Sequence, residues 1–296
     1  MKTGLKNLDQ MLGDCRGDVI VVGSRSGMGK SCLLRQIAWN HAMEGGTTKV
    51  WDEERHLKES YFRIACQIAE VDRAKVGSVR SEKGKSFIKI IEEQQQRKES
   101  YIDGLELQRL AEALLRMESL NISIHQSSRD FDSRDFDIWY FLDLIETNNK
   151  ENLLVVIDFI QLLTVSDNTA QSTAKLMTRI KEVSVRTDTT FVIGSQISRK
   201  VDERLGHRPT LTDLSDSSSL EELANKVIFI LRRDYYDPND KPGLADIIIQ
   251  KHSLGGVDSL CTTFSKEFSR FYEYSPFVFN EVDINDTDYS DVFKPL

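Results

Sequence analysis

The stretch "VVGSRSGMGKSCLL", Val21–Leu34, decides how the rest of the chain is read. An apolar run ends in a loop of small residues, and Gly29-Lys30-Ser31 then opens a segment with apolar residues at helical spacing. Strand, Gly-rich loop and helix in that order make a phosphate cradle. Backbone N–H groups of the loop wrap the oxygens, and the helix N-terminus adds positive potential. The predicted lining is Ser24, Arg25, Ser26, Gly27, Met28, Gly29, Lys30, Ser31 and Cys32. Lys30 would neutralise the β/γ oxygens of ATP, and the Ser31 hydroxyl would ligate Mg²⁺. The usual pattern also asks for a glycine at position 24, where this chain has serine, with Gly23 one place early. That first position only starts the turn, so a small residue serves there, whereas Gly29 must let the backbone approach phosphate.

Around this loop the chain alternates strands and helices. "DVIVVG", "ENLLVVIDFIQLL" and "TTFVIGSQ" are apolar on consecutive positions, as in strands covered on both faces of a parallel sheet. "KSCLLRQIAWNHAMEGG", "ESYFRIACQIAEV", "LELQRLAEALLRMESL" and "STAKLMTRIKEVSVRT" have helical periodicity. The expected fold is α/β, a mostly parallel central sheet flanked by helices. "KVIFILRR", "GLADIIIQK" and "SLCTTFS" read as later strands, the last as an edge hairpin. Residues 1–275 are expected to form the core, with a charged helical insertion at about 76–120, and 276–296 an acidic tail.

Bulk properties narrow the function classes. No apolar run among the 296 residues is long enough for a membrane span, and no signal-peptide pattern opens the chain. Cys15, Cys32, Cys66 and Cys261 are scattered, which fits reduced thiols in a cytoplasmic protein rather than a zinc site. The net charge of −8 gives no general support for a nucleic-acid partner, so any such contact must be local.

Other residues carry candidate chemistry. Asp158 ends a buried strand, where an acid could hold Mg²⁺. "TTKVWDEERHL" reads as a short strand, Lys49–Trp51, running into Asp52, Glu53 and Glu54. One of these could orient an attacking water, and composition does not choose among them. Gln196 ends the third strand and could sense a terminal phosphate. The loop beyond it holds Arg199, Lys200, Arg204 and Arg208, which read equally well as nucleic-acid phosphate contacts or as solvated charges.

Several segments together resemble the ATPase domain of DnaB-type replicative helicases, a RecA-like P-loop NTPase core. "SRSGMGKS", "VVIDFIQLL", "GSQISRKVDERLGHRPTLTDL", "VIFILRRDYY", "LADIIIQK" and the early "TGLKNLDQML" carry the likeness, over about Thr3 to Tyr272. The resemblance implies ATP and Mg²⁺, single-stranded DNA, replication proteins as partners, and a homo-oligomer, a hexameric ring. In the family the catalytic Glu lies nine residues before an Arg; Glu54 lies nine before Arg63, which selects Glu54.

The departures are specific. The family's Lys-Gln-Arg segment, which reaches a neighbour's ATP, appears as Lys251-His252-Ser253, so the lysine stays and the arginine finger is lost. Such a finger is worth roughly 10³–10⁵ in turnover elsewhere; Lys251, Arg232 and Arg233 are candidate substitutes. The family's Arg-Glu-Ser-Gly DNA loop appears as Ser215-Asp216-Ser217-Ser218, with Ser215, Asp216 and Ser218 in the DNA-facing positions. The chain is also expected to begin at the ATPase core, without the family's N-terminal helical domain and linker helix. Three functions compete: a DnaB-like helicase motor, a diverged ATP-binding regulator of replication acting through a partner, and a recombination or clock-type ATPase on the same core.

Overall fold

The computed structural model describes residues 1–76, 100–127, 137–148, 150–163, 169–214 and 218–275, with single positions 89, 91 and 95. The tail at 276–296, most of the polar stretch at 77–99, and Ser215, Asp216 and Ser217 lie outside the described residues.

In chain order the main elements are α1 Lys6–Leu12, β1 Val19–Ser24, α2 Lys30–Met43, β2 Thr47–Asp52 and α3 Leu57–Ala69. Next come α4 Gly104–Ser119, β3 Ile122–His125, α5 Ile138–Thr147, β4 Leu153–Asp158, α6 Thr169–Thr187 and β5 Thr190–Gln196. The chain closes with α7 Ser218–Leu223, β6 Lys226–Leu231, β7 Leu244–His252, β8 Asp258–Ser265 and β9 Arg270–Glu273.

The strands form one sheet in the order β3-β2-β4-β5-β1-β6-β7-β8-β9. The six from β3 to β6 run parallel, and β7, β8 and β9 return antiparallel. Every residue of β1, β4 and β6 is buried, as consecutive Val, Ile and Leu require of central strands. The fold is therefore α/β with a mixed, mostly parallel sheet. "SLCTTFS" lies in β8, which forms with β9 the antiparallel hairpin that ends the sheet, as expected of an edge hairpin.

α4 falls within the expected insertion. Its start is fixed by a capping box, in which the Asp103 side chain accepts from the Glu106 N–H and Glu106 reaches back. It is not a solvated appendage: Leu110, Ala113, Leu114 and Met117 are buried with Phe62, Ile64 and Ala65 of α3 in a second apolar cluster.

Parallel pairing brings several strand ends to one edge. Ser24 is level with Gln196, and Asp52 with Asp158. Antiparallel β7 has the opposite sense, so Lys251 and His252 pair with Val227 and Lys226 at the start of β6, at the other edge.

Candidate nucleotide site

The strand ends, the loop at 24–31 and the start of α2 enclose a cleft of about 960 Å³. Arg25, Ser26, Gly27, Gly29, Lys30, Ser31, Cys32, Glu54 and Gln196 line it. Ser24 and Met28 are buried behind it.

The displaced glycine has a packing reason. A Cβ on Gly23 would stand 2.6 Å from the Phe229 ring, so this position is closed by the neighbouring strand. Ser24 starts the turn instead, its hydroxyl donating to the Arg25 carbonyl at 2.9 Å. Gly29 has φ 99°, a left-handed backbone that favours glycine, and a Cβ there would lie 2.9 Å from Phe271.

Lys30 crosses the cleft floor to Asp158, Nζ to Oδ1 at 2.6 Å, with the Phe159 ring 4.5 Å from the ammonium. Burial pushes the Asp158 carboxyl up, but the Lys30 ammonium and the Ser31 hydroxyl outweigh it and hold it below its ordinary value. Asp158 is thus an anion beside a serine hydroxyl. One carboxylate and one hydroxyl, completed by phosphate oxygens, suit Mg²⁺, which is seldom caged by protein alone.

The three acids after β2 separate by their partners. Asp52 is buried; its Oδ1 accepts the N–H groups of Glu54 and Arg55 at 2.9 and 3.2 Å, and its Oδ2 accepts the Ser60 hydroxyl at 2.5 Å. Burial raises its carboxyl, the Ser60 bond opposes this, and Asp158 adds to the rise. Glu53 accepts from the Trp51 indole at 3.0 Å and from the Ser127 hydroxyl at 2.5 Å. Both acids are thereby committed to holding the turn. Glu53 and Glu54 both line the cleft, and Glu54 is paired only with its neighbour Arg55, at 2.9 Å.

Gly194, Arg35 and Arg55 are site residues outside the motif, and Arg232, expected as a possible finger substitute, also lies in this cleft. Gly194 underlies the central pair: a Cβ there would stand 2.8 Å from Leu34 and 3.0 Å from Lys30 Nζ. Its signal was a glycine inside an otherwise β-branched strand. Buried Arg232 is bonded twice to Asp234, both at 3.1 Å, and donates to the Gly27 carbonyl at 3.3 Å; Lys266 joins Asp234 at 2.9 Å. Arg35, Arg55 and Arg63 also line the cleft.

The basic loop divides. Arg199, Lys200 and Arg208 are exposed. Arg204 is instead bonded to Asp213 at 2.7 and 3.0 Å and to the Arg208 carbonyl. The loop is fastened to the phosphate loop by Arg25, whose Nε lies 3.1 Å from both Asp202 oxygens. Tyr236 donates to the same carboxylate at 2.8 Å, and its ring stacks on His207 at 3.8 Å. Ser218 is exposed at the start of α7.

Lys251 is not brought to this cleft. Its Nζ caps α7 through the Glu221 and Glu222 carbonyls, at 2.5 and 3.2 Å. Ser253 bonds the Asn225 carbonyl at 2.7 Å. Arg233 approaches Asp246 at 3.8 Å.

Comparison with known proteins agrees with this architecture. The family described as "DnaB-like helicase C terminal domain" matches residues 1–273. The replicative DNA helicase DnaB of Buchnera aphidicola subsp. Schizaphis graminum is 26% identical over 282 residues, 93% of this chain and 55% of that protein. The replicative DNA helicase DnaC of Bacillus subtilis is 25% identical over 279 residues, 91% of this chain and 55% of that protein. The chain thus spans about half the length of these relatives. Among solved structures, a separately solved ATPase domain superposes with a TM-score of 0.77 at 23% identity, covering 93% of this chain and 91% of that one. A DnaB-like replicative helicase, solved in a study of its interactions with primase, gives 0.76 at 24% identity, covering 93% and 62%. At those identities the structures speak for the fold alone.

Proposed function

The chain belongs to the DnaB-like helicase C-terminal domain family, and on that premise we propose that it is the Mg²⁺-dependent ATPase core of a DnaB-like replicative helicase, hydrolysing ATP while moving along single-stranded DNA in a homo-oligomeric ring. The observation that carries this reading is the buried Lys30–Asp158 pair at 2.6 Å, held at the sheet edge where the phosphate loop opens a cleft large enough for a nucleotide.

In this account Lys30 turns from Asp158 to the β/γ oxygens when ATP enters, and the loop N–H groups hold the remaining phosphate charge. Ser31 and the freed Asp158 would hold Mg²⁺, which would supply neutralisation of charge on the phosphates. Glu54 orients the attacking water and takes its proton. Gln196 reads the terminal phosphate at the end of β5. The signal passes into the 199–213 loop, where Arg199, Lys200 and Arg208 bind the DNA backbone. The Arg25–Asp202 pair supports this link, since it joins the phosphate loop directly to that segment.

Lys251 serves the neighbouring subunit's site. Its position at the opposite sheet edge from its own phosphate loop favours a role between subunits. Replication proteins are the expected partners, and the setting is intracellular. No helix among the described residues is long and apolar enough to cross a membrane.

A second reading, a diverged ATP-binding regulator that does not unwind DNA robustly, is favoured by one observation: Ser253 stands where the family carries a cation, and its hydroxyl is folded back on Asn225. Steady-state ATP turnover with and without single-stranded DNA, paired with light scattering, separates the two. The motor reading expects an oligomer whose turnover rises several-fold with DNA. Nucleotide binding without DNA binding or stimulation would leave the regulator.

A further inference from the structure

We propose that Arg35 is a phosphate-contacting residue supplied from within the chain: its guanidinium binds the terminal phosphate of the nucleotide and distinguishes a triphosphate from a diphosphate. The proposal rests on the nucleotide-site reading above and names a residue outside the phosphate-loop motif.

The argument begins with helix geometry. Arg35 lies four residues after Ser31 on α2, so the two share a face one turn apart. Long side chains on a helix lean toward its N-terminus, which directs the Arg35 stem back toward the phosphate loop. The contacts agree: Nη2 lies 3.7 Å from Cys32 Sγ, and Arg35 lines the cleft with Lys30, Ser31 and Glu54.

The second observation is a missing partner. Arg35 is only 7% exposed, yet its Nη1 is buried without a hydrogen-bond partner among the described residues. A buried cation left unpaired is costly, and buried polar groups are normally bonded. The acids within its electrostatic reach are committed elsewhere, Asp52 to Ser60 and its turn, Asp158 to Lys30. A second cation, Arg63, stands near enough for mutual repulsion: burial, then Arg55 and Arg35, push the Arg63 guanidinium below its ordinary value. Arg63 is itself paired with Glu59 at 2.7 Å, so of the two guanidiniums on this cleft wall Arg35, with its unpartnered N–H, is the one left for an anion.

That anion is the terminal phosphate rather than an α or β group. The loop N–H groups already serve the phosphates nearest the start of α2. Arg35 lies on the helix face of Ser31, the proposed Mg²⁺ ligand, within electrostatic reach of Asp158 and Asp52. A guanidinium at this position meets charge present in ATP and absent in ADP.

The test compares affinities of Mg²⁺-ATPγS and Mg²⁺-ADP, by calorimetry on the full chain, for wild type and Arg35→Met. Met fills similar volume without charge, so the nucleotide-free variant should melt no lower than wild type. The expected result is a roughly ten- to hundredfold loss of ATPγS affinity, with ADP affinity held within about twofold. If Arg35→Met does not fold, Arg35→Gln is read by the same ratio. An unchanged ATPγS-to-ADP ratio in a wild-type protein that binds both overturns the assignment to Arg35 alone. A wild type that binds neither nucleotide overturns the nucleotide site itself.

Discussion

The Lys30 ammonium lies 2.6 Å from Asp158 Oδ1, and both side chains are nearly excluded from solvent. Each satisfies the other. Lys30→Ala therefore does more than remove a phosphate ligand: it strands a buried carboxylate. We expect it to lower unfolding free energy by about 3–5 kcal/mol at neutral pH, measured by denaturant titration without nucleotide. Without Lys30, burial raises the Asp158 carboxyl, so the deficit should shrink as the solution is acidified and the group protonates. A variant as stable as wild type at pH 7 would contradict the pairing.

The two residues at the start of the phosphate loop should respond differently to small side-chain changes. Gly23→Ala places a methyl 2.6 Å from the Phe229 ring and is expected to cost about 1–3 kcal/mol of stability. Ser24→Gly removes one hydroxyl from the turn and should leave ATP affinity within a few-fold of wild type. Equal tolerance of both changes, read by thermal melts and nucleotide titration, would argue against the packing role of Gly23.

Asp202 offers a way to separate nucleotide binding from DNA response. Asp202→Asn weakens its pairing with Arg25, whose Nε and Nη2 lie within 3.1 Å of the carboxylate. Basal turnover should change little, while stimulation by single-stranded DNA falls several-fold. The ratio of the two rates is the measurement, and a preserved ratio would show that the 199–213 loop does not report through this pair.

Burial, with Lys49 adding repulsion, pushes the His125 imidazole down to about 4, from an ordinary value of 6.5. Between those values the unfolded chain binds more protons than the folded one, so stability is lost as pH falls from about 6.5 toward 4. His125→Gln removes that contribution. Its stability, followed by denaturant titration across the same window, should decline less steeply than that of wild type. Parallel curves would contradict the half-buried, neutral histidine.

The part of this architecture legible from residues alone was the part with strong local patterns. β1, the phosphate loop and α2 show themselves because consecutive Val and Ile, small loop residues and a helical repeat follow one another between Val19 and Met43. β3, Ile122–His125, has only four half-buried residues directly after a helix, too short for periodicity to register. α5 is an apolar run, "IWYFLDLIET", whose pattern does not distinguish a buried helix from a strand; its Asp137 cap at Tyr140 becomes meaningful only in space. The three consecutive acids were indistinguishable by composition, and their hydrogen-bond partners are what separate them: Ser60 for Asp52, Trp51 and Ser127 for Glu53, Arg55 for Glu54. Arg204 shows the converse. By sequence it reads equally as a phosphate ligand or a solvated charge in a basic loop, and its charge is taken up by Asp213.

The central claim is that this cleft hydrolyses ATP with Glu54 as the residue that activates water. The most direct measurement is ATP binding and steady-state turnover, side by side, for wild type and Glu54→Gln in the presence of Mg²⁺ and single-stranded DNA. The account predicts that the variant binds ATP as wild type does, within a few-fold, and loses turnover by roughly 10²-fold or more, the scale of a lost general base. Turnover by Glu54→Gln at the wild-type rate would contradict it.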